Sequence, residues 1–448
     1  MQTSDNGIAV HFIGIGGAGM SALAKYLIKK GFNVSGSDKA GIKTLEELSA
    51  LGANVVIRNS PCGESAAEKL VASADVVVKT SAIKIDDPEL VLAAKLKKPV
   101  LKRSELLGEI LSVFPHSVGV GGTHGKTTAT AMLSGVFSLF KPFTSFIGGS
   151  DYTFGNFHSD NGSRYAISEV CEYDGNIYDI KTETAVVLNV DGDHLDSYKT
   201  MENLKAAFFD YLDRAALRIV NNDDFFLKQY GGKRITYSIF NSGDFTAVDL
   251  LSSGGKYSFD CVYKGKKEFR AGLNVYGRHN VYNALAAIAV CKEYGIDNEK
   301  IVEGIEKFSG VKRRFEFIGE KNGIKFIADY CHHPEEIKAT LKTADEVFVN
   351  GYSVVFQPHT YSRTKLLFSD FVKAFSGRNV ILLKEYAARE VFDYDGSSQK
   401  LAEEIKNAAY AVSACDAFDM IMRSDTEKPV LILGAGDIYD KFVALIKG

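Results

Sequence analysis

Ile8-Ala-Val-His11-Phe-Ile-Gly14-Ile-Gly16-Gly17-Ala-Gly19-Met20-Ser21 decides the fold. A short apolar run reads as a buried strand, the glycines as a tight turn, and the residues from about Met20 to Lys30 as a helix. The spacing Gly14-x-Gly16-x-x-Gly19 lets backbone N–H groups approach a diphosphate at the helix N-terminus. Asp38, at the end of the following strand, stands where a ribose hydroxyl is read. The bland alternative is a glycine turn needed only for helix–strand packing. The motif leaves the nucleotide open, because NAD and UDP-sugars use the same geometry.

Outward from this stretch, helical and strand-like segments alternate: a strand Asn33–Ser35, a helix near 44–51, a strand Val55–Ile57, a helix near 64–72 and a strand Val76–Lys79. Strands separated by helices imply a parallel, doubly wound sheet with right-handed crossovers. A second unit opens at Ser117, again a strand leading into a glycine loop and a helix, and runs through a strand Ala185–Asn189 to the helix near Val281. A third αβ unit starts near Arg314 and closes with a strand Pro429–Leu433, Gly434-Ala-Gly-Asp and a final helix. Residues 240–275 read as a small antiparallel excursion inside the second unit.

The chain has 448 residues, enough for about three domains. Its 53 basic and 56 acidic side chains nearly balance, which argues against a general nucleic-acid or polybasic membrane binder. No apolar stretch is long enough to span a bilayer, and no signal peptide is evident. Six scattered cysteines without a CxxC pair read as free thiols of a reducing cytoplasm.

The second loop is Gly119-Val-Gly-Gly122-Thr123-His124-Gly125-Lys126-Thr127-Thr128. Successive amides can surround a triphosphate, Lys126 can reach its β- and γ-phosphates, and the Thr127 hydroxyl can ligate Mg²⁺. The spacing departs from GxxxxGK[ST], since Val120 occupies the first glycine position. Glu169, Glu172 and the run Asn189-Val-Asp191-Gly-Asp193-His194-Leu-Asp196 follow strands of the same unit. They offer hard-cation ligands, although each alone would read as a solvated acidic turn. Gly277-Arg-His279-Asn280-Val-Tyr-Asn283 opens an apolar helix, either to cap it or to contact the nucleotide. In the third unit, Arg313-Arg314, Asp329-Tyr-Cys331-His332-His333-Pro and Gln357-Pro-His359-Thr-Tyr-Ser-Arg363 place arginines and histidines at strand ends, where ligands bind in open sheets. No histidine spacing there is diagnostic of zinc, and Cys331 lacks a paired base.

Taken in order over nearly the whole chain, these segments resemble the Mur ligase family. Thr80-Ser81-Ala82-Ile-Lys, Gly122-Thr-His-Gly-Lys-Thr-Thr, Asp193-His-Leu-Asp and Lys312-Arg-Arg-Phe are among the matches. The resemblance implies an α/β fold of three domains. These are a Rossmann-like UDP-sugar-binding domain (1–106), a central P-loop ATPase-type domain that binds ATP (107–313), and a C-terminal Rossmann-like domain on the amino-acid side (314–448). It implies ATP-dependent joining of L-alanine to the lactyl carboxylate of UDP-N-acetylmuramate, in the cytoplasm, by a monomer or weak homodimer, with no nucleic acid or membrane as partner.

Carried over residue by residue, Gly14, Gly16, Gly17, Gly19, Met20, Ser21, Asp38, Ser81 and Ala82 fall on the UDP-sugar side. Gly122 through Thr128, His279, Asn280 and Asn283 fall on ATP, and Thr127, Glu169 and His194 on Mg²⁺. Lys126, His194, Arg314 (or Arg313), Asp329 and His333 match catalytic positions, with Arg314 and Asp329 brought over ATP by closure. His332, His359 and Arg363 match the amino-acid side. The usual Asp-Asp-Tyr is Ala328-Asp329-Tyr330 here, so one carboxylate remains. Ala206-Ala-Phe-Phe-Asp offers no lysine to carbamylate. A sister ligase that adds a preformed tripeptide shares most of these motifs, but Gly14 through Ser21 and Thr80 through Ile83 favour alanine. An NAD oxidoreductase leaves Gly125-Lys126-Thr127 unexplained, and a nucleotide-binding scaffold predicts binding without turnover.

Overall fold

The computed structural model describes residues 7–39, 43–192, 195–388, 390–424 and 427–448. Three sheets organise the chain. The first is all parallel, in the order Asn54–Ile57, Asn33–Asp38, Ala9–Ile13, Val76–Lys79, Val100–Lys102. The chain leaves the central strand Ala9–Ile13 in one direction and later fills its other side. That topological switch opens a crevice at the carboxyl ends of Ala9–Ile13 and Val76–Lys79.

The second sheet has ten strands in the order Lys266–Tyr276, Lys256–Tyr263, Phe245–Ser253, Ile235–Ser238, Leu217–Asn221, Thr184–Val187, His116–Gly121, Tyr165–Glu169, Phe143–Asp151, Gly155–Ser159. His116–Gly121 runs parallel to both neighbours, so the second glycine loop also leaves a switch point. The expected excursion is present as three successive strands between 245 and 276. Its two-residue turns, Gly254-Gly255 and Lys264-Gly265, have positive φ at both positions, which matches the twist of antiparallel hairpins. The sequence reading contains no strands between the loop helix and Tyr165. The structure has two, Phe143–Asp151 and Gly155–Ser159, where Gly148-Gly149 interrupts the apolar pattern.

The third sheet runs Glu316–Lys321, Ile324–Asp329, Val430–Leu433, Ser353–Phe356, Val380–Leu383, Ala408–Ala411, with only the first pair antiparallel among the registered pairs. The chain forms two compact units. One comprises Met1–Asp249, Phe259–Gly272 and Tyr282–Phe308, the other Leu250–Ser258, Leu273–Val281 and Ser309–Gly448. The hairpin strands and the helix His279–Glu293 are therefore divided between the units.

Within the first unit one apolar core joins the first two sheets. It includes Phe12, Leu23 and Tyr26 beside Phe146, Phe208 and Tyr211. The helix Ala18–Lys29 is the seam, with Tyr26 packing edge-on to Phe146 at 5.6 Å between ring centres. Polar contacts lie along the same seam: Asn156 donates to Ala18 O and to Ser21 Oγ, both at 2.8 Å, and Lys25 reaches Asn156. The glycine-loop helix is thus fastened to the central sheet along its length. Among the described residues, no helix is long and apolar enough to cross a membrane.

Candidate functional site

The first loop is held by the strand beside it. Gly14 has φ +82°, and its N–H and that of Ile15 donate to Ser37 O at 2.8 and 3.0 Å. Gly16 N–H donates to Asp38 Oδ2 at 2.9 Å, while Asp38 Oδ1 accepts from Lys39 N–H. Both oxygens of Asp38 therefore accept from backbone, and each keeps a second lone pair for the ribose hydroxyl that the motif sets there. Gly36, which the sequence reading did not single out, is forced by packing, since a Cβ there would lie 2.6 Å from Ile15. Ser81 and Ala82 sit in a turn closed by Ile83 N–H to Thr80 O, and the Thr80 methyl would touch a Cβ on Gly14 at 3.3 Å. The two expected sugar-nucleotide segments therefore meet at the crevice. Met20 and Ser21 are buried along the seam. Arg103 lies across Gly19, leaving a Cβ there only 3.1 Å of room.

The second loop is tighter. Gly122 (φ +129°) and Gly125 (φ +84°) need the left-handed region, and a Cβ on Gly119 would meet Tyr211 Oη at 2.0 Å. These demands explain the glycine spacing. Asn189 bridges the loop by accepting from His124 N–H and donating back to His124 O. Asp191 N–H donates to Thr123 Oγ1, and the Asp191 carboxylate lies 3.1 Å from His124 Nε2.

At the helix Lys126–Phe137, Lys126 Nζ donates to Gly122 O, Thr123 O and both oxygens of Glu172 at 2.6–3.2 Å. Burial pulls the ammonium's pKa down, but Glu172, Cys171 and Glu169 outweigh it and hold the lysine charged, above its ordinary value. Thr127 Oγ1 donates to Glu169 Oε2 at 2.8 Å, which also accepts from Gly148 N–H. A hydroxyl and a carboxylate oxygen this close form a hard donor pair, and they fit a divalent ion such as Mg²⁺. Asn283 packs against Gly125. His194, the third expected metal ligand, lies outside the described residues.

In the second unit, His279 opens its helix and Asn280 Nδ2 donates to Tyr276 O, which ties the helix start to the strand before it and is not an N-cap, since a cap accepts from a helix N–H. Arg313 engages Asp440 and the Tyr439 ring, whereas Arg314 donates to Tyr330 O and lies over that ring. Of the two arginines, Arg314 thus stands beside Asp329, whose carboxylate accepts from Phe315 N–H. His333 is buried and caps the helix Pro334–Val347, accepting from Glu335 N–H, while Glu336 reaches back to its amide. A ring so engaged has a structural duty beside its expected catalytic one. His332 and His359 lie 5.8 Å apart, and Arg363 reaches His359 Nδ1 at 3.2 Å.

Burial raises the Asp329 carboxyl to about 6, opposed by Arg314 and reinforced by Glu336. Burial and the Arg314 charge lower His279 to about 4. The signs differ. Asp329 keeps its proton in the fold while the unfolded chain loses it, so its stabilising contribution is lost as pH rises from near 4 to 6. His279 stays neutral in the fold, so its contribution is lost as pH falls from near 6.5 to 4. Asp329→Asn should therefore raise the unfolding midpoint relative to the parent chain by an amount that grows from pH 4 to 6 and is flat above 7. Scanning calorimetry across that range checks it; a gap independent of pH would refute it.

Comparison with known proteins places this geometry in a class. Residues 9–115 match the Mur ligase family catalytic domain, 120–291 the Mur ligase middle domain, and 313–436 the Mur ligase glutamate ligase domain. The chain belongs to the Mur ligase family. It is 38% identical to the UDP-N-acetylmuramate–L-alanine ligase of Lachnospira eligens, over 99% of both chains. It is 38% identical to the enzyme of that name from Clostridium acetobutylicum, over 96% of this chain and 95% of that one. Among solved structures, the UDP-N-acetylmuramate–alanine ligase of Thermotoga maritima superposes with a TM-score of 0.82 at 28% identity, covering 98% of both chains. A murein peptide ligase of Psychrobacter arcticus shares the fold, with a TM-score of 0.75 at 21% identity over 98% of both.

Proposed function

We propose that this chain is an ATP-dependent ligase that joins L-alanine to the lactyl carboxylate of UDP-N-acetylmuramate, a step of peptidoglycan precursor synthesis in the cytoplasm. The observation that carries the reading is the charged Lys126, set between the second loop and Glu172 at the carboxyl end of the central sheet. A carboxylate is a poor electrophile towards an amine. Transfer of the γ-phosphoryl group breaks a P–O bond of ATP, releases ADP and forms an acyl phosphate. Attack by the neutral amine of alanine forms the C–N bond, phosphate leaves with the C–O electrons, and the proton shed by the nitrogen ends on that phosphate. The chain's own contribution is positional and electrostatic. Lys126 offsets charge on the phosphoryl oxygens, and the amides from Gly122 to Thr128 cradle the phosphates. Thr127 and Glu169 would hold Mg²⁺, which neutralises phosphate charge when bound. The Gly14–Gly19 loop and the Thr80–Ile83 turn take the UDP-sugar. On the other unit, Arg314 and Asp329 are the proposed catalytic groups, and His332, His359 and Arg363 the amino-acid side.

The test is phosphate release with ATP, Mg²⁺, UDP-N-acetylmuramate and single amino acids, omitting one component at a time. Release that requires the UDP-sugar and L-alanine together is expected. Turnover with a tripeptide but not with alanine would move the chain to the sister activity. Nucleotide binding without any turnover would favour a scaffold.

A further inference from the structure

Beneath the first loop lies a buried polar cluster that the phosphate chemistry does not use. Glu89, on the helix Pro88–Lys95, is 1% exposed, and His11, inside the strand Ala9–Ile13, is fully buried. Glu89 Oε2 lies 2.7 Å from His11 Nε2, and His11 Nδ1 lies 2.9 Å from Ser35 Oγ. The other oxygen, Oε1, accepts from Ser37 Oγ at 2.5 Å and sits 3.0 Å from Arg58 Nη1. Arg58 also pairs with Asp87 at 2.8 Å, and its N–H donates to Asp38 O at 2.7 Å.

One carboxylate thus links three neighbouring strands, through His11 inside the first, Ser37 near the end of the second and Arg58 just after the third, to the helix that follows the fourth. Ser37 belongs to the second strand, yet its carbonyl anchors the Gly14 and Ile15 amides that follow the first. Asp38, the next residue, holds Gly16. Arg58 follows the third strand. Glu89 follows the Thr80–Ile83 turn, which leaves the fourth and packs on Gly14. A buried charge is costly unless fully paired, and here one partner, Ser37, carries the loop anchor itself, while His11 stands three residues before Gly14 and the Arg58 amide holds Asp38 O.

We propose that Glu89, through Ser37, is a positioning residue for the diphosphate of the UDP-sugar: it sets the separation of the Gly14–Gly19 loop from the Thr80–Ile83 turn. The inference rests on the reading of this crevice as the UDP-sugar site. The carboxylate itself touches no substrate. Its removal loosens Ser37, the Ser37 carbonyl shifts, and the loop amides lose their aim.

The probe is UDP, titrated calorimetrically into the full-length chain, with steady-state kinetics alongside. Glu89→Leu removes the acceptors at similar bulk. Glu89→Gln keeps an oxygen for Ser37 and Arg58 and offers an amide N–H to His11, which takes the complementary tautomer. Ser37→Ala deletes one contact and keeps the fold testable should Glu89→Leu fail to fold. Glu89→Leu and Ser37→Ala should weaken UDP binding and raise KM for the UDP-sugar about tenfold, with kcat and KM for ATP within about twofold. Glu89→Gln should restore most of the affinity, which a space-filling role would not. UDP affinity unchanged in folded Ser37→Ala and Glu89→Leu would overturn the proposal, as would a loss falling on kcat. Because the probe is UDP, the outcome separates from the ligase reading. Binding that depends on Glu89 in a chain without alanine turnover would sink that reading and leave this one. Turnover with indifferent variants would do the reverse.

Discussion

Lys126→Ala should eliminate measurable phosphate release, a fall of at least about 10²–10³-fold in kcat, the scale on which a single preorganised charge at a reacting centre acts. It should also destabilise the ligand-free protein, for a reason separate from catalysis. Glu172 is 1% exposed, and its side chain is paired with Lys126 at 3.0 Å. Removing one partner of a buried pair strands the other, at about 3–5 kcal/mol. The double variant Lys126→Ala/Glu172→Gln separates the two effects, because neutralising Glu172 removes the stranded charge without returning the ammonium. Denaturant unfolding should recover much of the lost stability in the double variant, while phosphate release stays absent. Activity returning along with stability would show that the lysine serves the fold rather than the reaction.

Gly125→Ala should lower kcat/KM for ATP by about 10²-fold, the cost of misplacing reacting groups by about 1 Å. Two demands coincide at this position. Its φ of +84° costs an L-residue about 1–2 kcal/mol, and a Cβ would sit 2.6 Å from Asn283 Oδ1. The loop must shift to accept the methyl group, and the amides move with it. Adding Asn283→Ala removes the collision but not the backbone strain, so it should return only part of the loss. Full recovery would mean that the left-handed conformation is dispensable. The KM for the UDP-sugar should be the parameter least affected in both variants.

The loops were legible because their chemistry is local. Gly14, Gly16 and Gly19 follow one strand, and Gly125-Lys126-Thr127 follow another, so spacing alone located both loops, and the sheet orders then set each at a switch point. The alternation of helices and strands likewise announced three αβ units. What escaped the sequence is non-local. Lys126 and Glu172 are separated by 46 positions and His11 and Glu89 by 78, and no periodicity links them. Polar His11 in an apolar strand and an acidic residue directly after Pro88 were the only traces of the second pair. Asp38 shows a second kind of gap. Its place at a strand end is right, but its oxygens also accept from the Gly16 and Lys39 amides, a backbone duty that the motif does not announce. Met20 and Ser21, which belong to a matching motif, are also buried along the seam with the central sheet, because a helix that carries a binding loop has a buried face to pack.

The acidic flank of the second loop has a consequence for what it admits. With Lys126 engaged by Glu172 and Thr127 by Glu169, a bare polyphosphate approaching the amides meets two carboxylates before it meets an available cation. Like charges at contact distance repel, and a divalent counterion reverses the sign of that encounter. If the loop binds ATP as proposed, the same two carboxylates disfavour the free polyanion and favour the nucleotide in its metal-complexed form, so that screening by the ion precedes chemistry and acts as a filter at the door.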